Sequence, residues 1–311
     1  MLKQVMDLFE ILDKPSVDGY EVEAYFKELT DLEEIYVNRV SGEKGSTDFI
    51  RILIPGSNGK NGGGTAPTMG IVGRLGGLGA RPELIGFVSD GDGALAALAA
   101  GLKLGIMHKN GDILEGDVIV STHICPDAPT RPHKPVPFMD SPVDIQEMND
   151  VEVDERMDCI VSIDTTKGNY VISNKGIAIS PTVKDGYILK VSEDLMNIMM
   201  RVTGKLPSVF ALSQQDITPY GNGLYHINSI LQPAIATSAP VIGVAVATDV
   251  PVAGCATGAT HLIDVEQAAR FAVETSKDFT AGICKFYDED EFELILKLYG
   301  DMKKYQTKGN L

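Results

Sequence analysis

A chain of 311 residues with a formal charge of −16, 44% hydrophobic and 23% charged, has ordinary globular composition rather than that of a disordered segment. At this length it can bury roughly three quarters of the surface its unfolded chain exposes, so it needs neither disulfides nor a metal to fold. The acidic balance argues against nucleic acid and anionic membrane surfaces as partners, because both demand clustered Lys and Arg.

The first fourteen residues, MLKQVMDLFEILDK, are charged throughout and carry no apolar core of signal-peptide length. No apolar run approaches the ~18 residues of a membrane span. Residues 234–248 come nearest, but Pro240 and Gly243 interrupt them, and they read as a buried strand. Cys125, Cys159, Cys255 and Cys284 lack CxxC spacing. A cytoplasmic protein with reduced thiols is the expectation.

Taken in chain order, residues 2–13 place Leu2, Val5, Met6, Phe9, Ile11 and Leu12 on one face of a first helix. A second helix begins after Asp18, its expected N-cap. Strands EEIYVNRV and DFIRILIPG follow, then a glycine-rich loop at 56–64. Residues 67–76 and 84–89 read as buried strands, 94–104 as a helix covered on nearly all sides, and 117–124 as another buried strand. Residues 125–155, rich in proline and charge, read as a long loop or lid. Strand 158–164, strand pieces in 170–180, a helix opening at Ser192, strand 208–215, a helix at 224–231, strand 239–247 and helices at 264–276 and 289–305 complete the pattern. One mainly parallel sheet with helices on both faces, a three-layer α/β/α domain over 1–311, is the predicted architecture.

In such sheets ligands bind beyond the carboxyl ends of the strands. Asp90, His123, Asp164 and His261 fall at or near those ends, and two carboxylates with two imidazoles suffice for zinc or a similar divalent ion. Asp164 stands out, since a charge ending a buried strand needs a partner or a metal. Asp90 has a plain reading as a turn residue, and Asp92 is expected to be the simple cap of the following helix. The segments GSNGKNGGGT and GRLGGLG lack the registers of nucleotide-binding loops.

Four segments carry a resemblance: LFEILDKPSVDGYEVEAYFKEL, VSDGDGALAALAAGLKL, IVSIDTTKG and ATGATHLIDVEQAARFAVE. In this order they resemble the zinc-dependent aminopeptidases and carboxypeptidases with co-catalytic metal sites. The chain is also similar to an uncharacterised prokaryotic family of about this length. The peptidase resemblance implies a phosphorylase/hydrolase-like fold, hydrolysis of amide or peptide bonds in small substrates, a divalent ion such as zinc, and a homo-oligomer. It also implies metal ligands at Asp90, Asp164 and His261.

Two departures mark the match. GIVGRLGGLG lacks the family's His-x-Asp, and STHICPDAPT stands where the family has Glu-Glu. The expectation is therefore a remodelled one-ion site, with His123 as fourth ligand or base and Asp127 as a second candidate base. Arg131, His133, Lys134, Asp140 and His226 are expected to bind substrate. Two other classes stay open. One is a catalytically degenerate relative that binds an amino-acid-like ligand or a partner. The other is a cofactor-independent racemase using Cys125 and Cys255, to which GCATGATH bears a faint likeness.

Overall fold

The computed structural model describes residues 1–79, 86–132 and 137–309. Helices α1 (Leu2–Leu12) and α2 (Gly19–Leu29) lead into strands β1 (Ile35–Gly42), β2 (Gly45–Ile54) and β3 (Met69–Gly73). Helix α3 (Asp92–Lys109) and β4 (Val118–Ile124) come next, then the short strands β5 (Thr130–Arg131) and β6 (Phe138–Met139), and helix α4 (Ile145–Glu152). The second half runs β7 (Cys159–Thr166), β8 (Gly176–Ile179), β9 (Val183–Lys184), β10 (Tyr187–Ile188), α5 (Glu193–Thr203), β11 (Val241–Ala247), α6 (Leu262–Thr280) and α7 (Glu289–Tyr299).

Nine strands form one sheet in the order β1-β2-β4-β3-β7-β11-β9-β10, with β8 also pairing to β11. The centre, β4-β3-β7-β11, is parallel, and β1, β2, β8, β9 and β10 join antiparallel. This is the three-layer mixed α/β fold expected.

The two-residue period of the strands sorts side chains into two cores. Ile52, Ile71, Val120, Val161 and Val244 pack with α1, α2, α3, α5 and α6. Their neighbours Leu53, Val72, Ile119, Ile160 and Ala245 face the opposite layer, where Phe210, Ile217, Ile230 and Leu231 cover them from irregular chain. Helix α3 is buried on nearly every side, as its Ala/Leu run requires. Gly93 at its start lets it abut the strand ends: a Cβ there would meet the carbonyl oxygens of Arg74 at 1.9 Å and Ile163 at 2.4 Å.

Local signals place the helix starts. Asp18 accepts from the Glu21 amide and Ser192 from the Leu195 amide, both as expected. Elsewhere the fold differs from the pattern. The buried face of α1 is Val5, Leu8 and Leu12, leaving Leu2 and Met6 exposed. Residues 125–155 are not a structureless loop: they hold β5, β6 and α4, the last capped by Asp144. No helix forms at 224–231, because the Asp216 carboxylate captures the amides of Ile227 (2.6 Å) and Asn228 (3.3 Å); one 3-10 turn follows at Gln232–Ile235. Within 208–215 only Val209 bridges, to Ile179. Of the strand expected at 84–89, residues 84 and 85 lie outside the described residues; Val88 makes a single bridge to Thr257, and Ser89–Gly91 is a 3-10 turn. The last helix stops at Tyr299, where Gly300 turns the chain with φ 74°. Among the described residues no helix is long and apolar enough to cross a membrane.

Candidate functional site

The carboxyl ends of the parallel strands bring together a set of buried charged and polar side chains. Arg74 directly follows β3, His123 sits near the end of β4, Asp164 lies near the end of β7 and Lys167 follows it. All four are buried, Arg74 completely. A charge in such a place must be compensated by partners rather than by water.

Arg74 is compensated from α4. Its Nε lies 2.8 Å from Glu152 Oε2, and its Nη2 donates to Asn149 Oδ1. The same Glu152 meets His123 Nδ1 at 2.6 Å through Oε1. The Gly76 amide donates to His123 Nε2 at 2.9 Å, so the imidazole proton sits on Nδ1 and faces Glu152. Both ring nitrogens are thereby engaged. Arg74 Nη1 and Asn149 Nδ2 have no hydrogen-bond partner among the described residues.

Three aspartates gather next to this network. Asp164 Oδ2 accepts from Ser229 Oγ at 2.7 Å, and Oδ1 from the Thr165 amide at 2.7 Å. Burial pushes its pKa up to about 7, opposed by Ser229, the Thr165 amide and Arg74 and reinforced by Asp90. Asp90 keeps some surface as a residue, but its carboxylate packs so closely on Gly254 that a Cβ there would lie 2.0 Å from Oδ1. Burial first, and the charge of Asp92 second, raise Asp90 to about 6. Asp92 is not the simple cap expected. Its side chain makes no cap bond; Oδ2 meets Lys167 Nζ at 2.6 Å and Oδ1 accepts from Thr260 at 2.8 Å. Burial outweighs Lys167 and lifts Asp92 to about 6 as well.

A cavity of about 620 Å³ opens beside these groups. Leu75, Met139, Val143, Ile145 and Met148 give it an apolar wall, and His123, Tyr220 and Ser229 are among the polar residues that line it. Tyr220 interacts with the Ser229 side chain; burial, then the Asp164 charge, raises its phenol pKa, so it stays protonated. The ring of His226 supports Tyr220 edge-on, with centroids 4.4 Å apart. Asp164, Ser229 and Tyr220 thus form a polar line from the buried cluster to the cavity.

The other predicted site residues distribute as follows. Asp140 and Arg131 line the cavity, where Asp140 meets Lys44 at 2.5 Å and Arg131 Nε at 3.6 Å. Burial of Asp140 is outweighed by Lys44, the Ser141 amide and Arg131, so its pKa is lowered. His133 and Lys134 lie outside the described residues. Asp127 is exposed in a separate groove beside Asp18 and Arg39, away from His123. Cys125 and Cys255 share a small apolar cluster with Met139, and burial pushes both thiols up to about 12. Neither is a thiolate at neutral pH, as thiol-based racemisation would require.

The predicted metal set does not assemble. Among the described residues no group of three or more His, Cys, Asp or Glu is placed to hold a metal ion. His261 is half exposed, with Nδ1 3.8 Å from Asp264. His123 has spent both nitrogens, and only Asp90 and Asp164 are brought into each other's field. Arg74 and Lys167 supply the positive charge of the cluster. The residues present do not fit the ion that the peptidase resemblance implies.

Sequence reasoning missed Arg74, Lys167, Asn149, Glu152, Ser229 and Tyr220. A signal existed for Arg74: it is the lone charge in the apolar, glycine-rich stretch GIVGRLGGLG. Nothing in the sequence marks Glu152 as its partner.

The sequence profile of the family described as "Protein of unknown function (DUF1177)" matches residues 38–309, from within β1 to the C-terminal end of the described chain. The chain belongs to that family. No curated protein matches it.

Proposed function

We propose that this member of the DUF1177 family is an acid–base hydrolase of an amide or ester bond in a small molecule with an apolar body. The observation that carries this reading is the line Asp164–Ser229–Tyr220, a buried carboxyl group joined through a 2.7 Å hydrogen bond to a hydroxyl on the cavity wall. A nucleophile or relay with a base in hydrogen-bond reach is the minimum such chemistry needs.

In this reading Asp164 Oδ2 takes the Ser229 proton while Ser229 Oγ takes one from a water attacking the substrate carbonyl. The Tyr220 hydroxyl donates to the carbonyl oxygen as negative charge develops there. The proton returns along the same line to the leaving nitrogen or oxygen as its bond to carbon breaks. No step runs through a metal ion.

The test is hydrolysis of a panel of acyl anilides and esters by the wild type and by Asp164→Asn and Ser229→Ala. Both variants are expected to lose at least ~10²-fold in kcat while keeping the wild-type circular dichroism. Activity should rise with pH through about 7 as the Asp164 carboxylate forms. Unchanged turnover in Asp164→Asn would overturn the assignment. Treatment with a strong chelator is expected to leave both kcat and Tm unchanged.

The largely apolar cavity wall favours a second reading, a ligand-binding protein without turnover. Binding of panel members with no hydrolysis by the wild type would select it.

A further inference from the structure

We infer that two copies of this chain pair through the layer of irregular chain on one side of the sheet, burying Tyr170, Val171, Leu206, Val209, Leu224 and Tyr225 between them. The inference does not depend on the hydrolase reading.

The two sides of the sheet are covered unequally. Helices α1, α2, α3, α5 and α6 pack on one side, whereas 3-10 turns and irregular chain cover much of the other. That second cover is thin, and apolar residues stand on both of its surfaces. Ile172 and Phe210 are buried in the core beneath it and Ile227 packs against the same core, while their neighbours Val171, Val209 and Tyr225 face outward. Tyr170 is fully exposed and Tyr225 is 85% exposed. The six residues belong to one surface. Their segments share the core that Ile172, Phe210 and Ile227 join, and Ser208 Oγ donates to Asn174 Oδ1 at 2.8 Å, tying the Leu206–Val209 stretch to the Tyr170–Val171 loop.

Area and charge together choose the occupant. A standard interface takes about 800 Å² from each partner. Tyrosines contribute about 150–250 Å² each when buried, and four aliphatic side chains exposed by 44–84% bring this face to that order. Monomers rarely expose so large an apolar patch, and tyrosine enrichment with few charges marks the core of an interface. The chain carries 43 acidic residues, yet segments 168–175, 204–215 and 217–228 contain no carboxylate except none at all: their only formal charges are Lys175 and Lys205. Two chains of −16 repel wherever their acidic surfaces meet, so a face free of carboxylates is where a second copy approaches at least electrostatic cost. A two-fold axis through the face lets each copy cover the same patch on the other. Tyr220 and Ser229 lie on the same irregular stretch as Leu224 and Tyr225, so the pairing would border the cavity.

The experiment is sedimentation velocity of the full chain over a hundredfold range of concentration. The wild type is expected at twice the chain mass of 33.4 kDa. The double variant Leu206→Asp/Tyr225→Asp should run as a monomer with the wild-type circular dichroism. Leu298→Asp, at an exposed site on α7, should leave the dimer intact. Added salt should tighten the dimer, because it screens the repulsion between two acidic chains while the apolar contact persists. A wild type that stays monomeric throughout would overturn the inference. So would a dimer that survives the double variant, one that Leu298→Asp dissociates, or one that salt loosens. A monomer that instead co-sediments with phosphatidylcholine vesicles would refute pairing and assign the face to a lipid surface.

Discussion

Arg74, Glu152 and His123 form a buried set in which each member is the reason the next can be charged or oriented. Removing one partner of such a pair leaves the other uncompensated, which typically costs about 3–5 kcal/mol, whereas an apolar replacement of both costs far less. Glu152→Leu alone should therefore destabilise the fold by an amount of that order in denaturant titration. The double variant Arg74→Met/Glu152→Leu should recover much of it. The raised carboxyl pKa values bear on pH in a definite direction. Asp164 at about 7, and Asp90 and Asp92 at about 6, bind their protons more tightly folded than unfolded. Between the unfolded value near 3.8 and those folded values, the native state holds more protons, so stability falls as pH rises. Carboxylates with lowered values, such as Asp48 and Asp154, act in the opposite sense and only below the ordinary carboxylate range. Melting temperature should thus decline from about pH 5 to pH 7, and Asp164→Asn should flatten the slope. A wild-type Tm that rises over that interval would contradict the burial of these groups.

At the scale of elements, α3 and α4 do different work. Helix α3 is a buried post whose N-terminus abuts the ends of β3 and β7, and Gly93 is the residue that permits the approach. Gly93→Ala puts a methyl group against two backbone oxygens and should lower stability well beyond the ~0.5–1.5 kcal/mol of an ordinary surface change, measurable as a fall in urea midpoint. Helix α4 presents Ile145, Gln146 and Met148 to the cavity, and Asn149 and Glu152 to Arg74. It is only eight residues long, so its start depends on Asp144, which accepts from the Glu147 amide at 2.9 Å. Asp144→Ala should cost about 0.5–2 kcal/mol, and hydrogen exchange should quicken across residues 145–152 before it does in β7.

Across the whole molecule, a mixed sheet with a parallel centre puts four carboxyl strand ends on one edge, and the acidic cluster, its two cations and the cavity all lie there. The net charge of −16 does not extend into this centre unopposed, because Arg74 and Lys167 are the buried counterweights. Much of this arrangement was legible in the chain. Alternating strand and helix patterns settle the fold class, since each face must be covered by something apolar. Asp18 and Ser192 announce helix starts because a cap bonds amides only a few residues away. Asp164 is visible as a charge at the end of a buried strand. The tertiary structure alone decided which buried polar groups meet: Lys167 finds Asp92 75 residues away, Arg74 finds Asn149 at the same separation, and His123 meets Glu152. Periodicity and capping are set by neighbours along the chain, whereas the partner of a buried charge is set by which strand ends and helix faces the packing brings within about 3 Å.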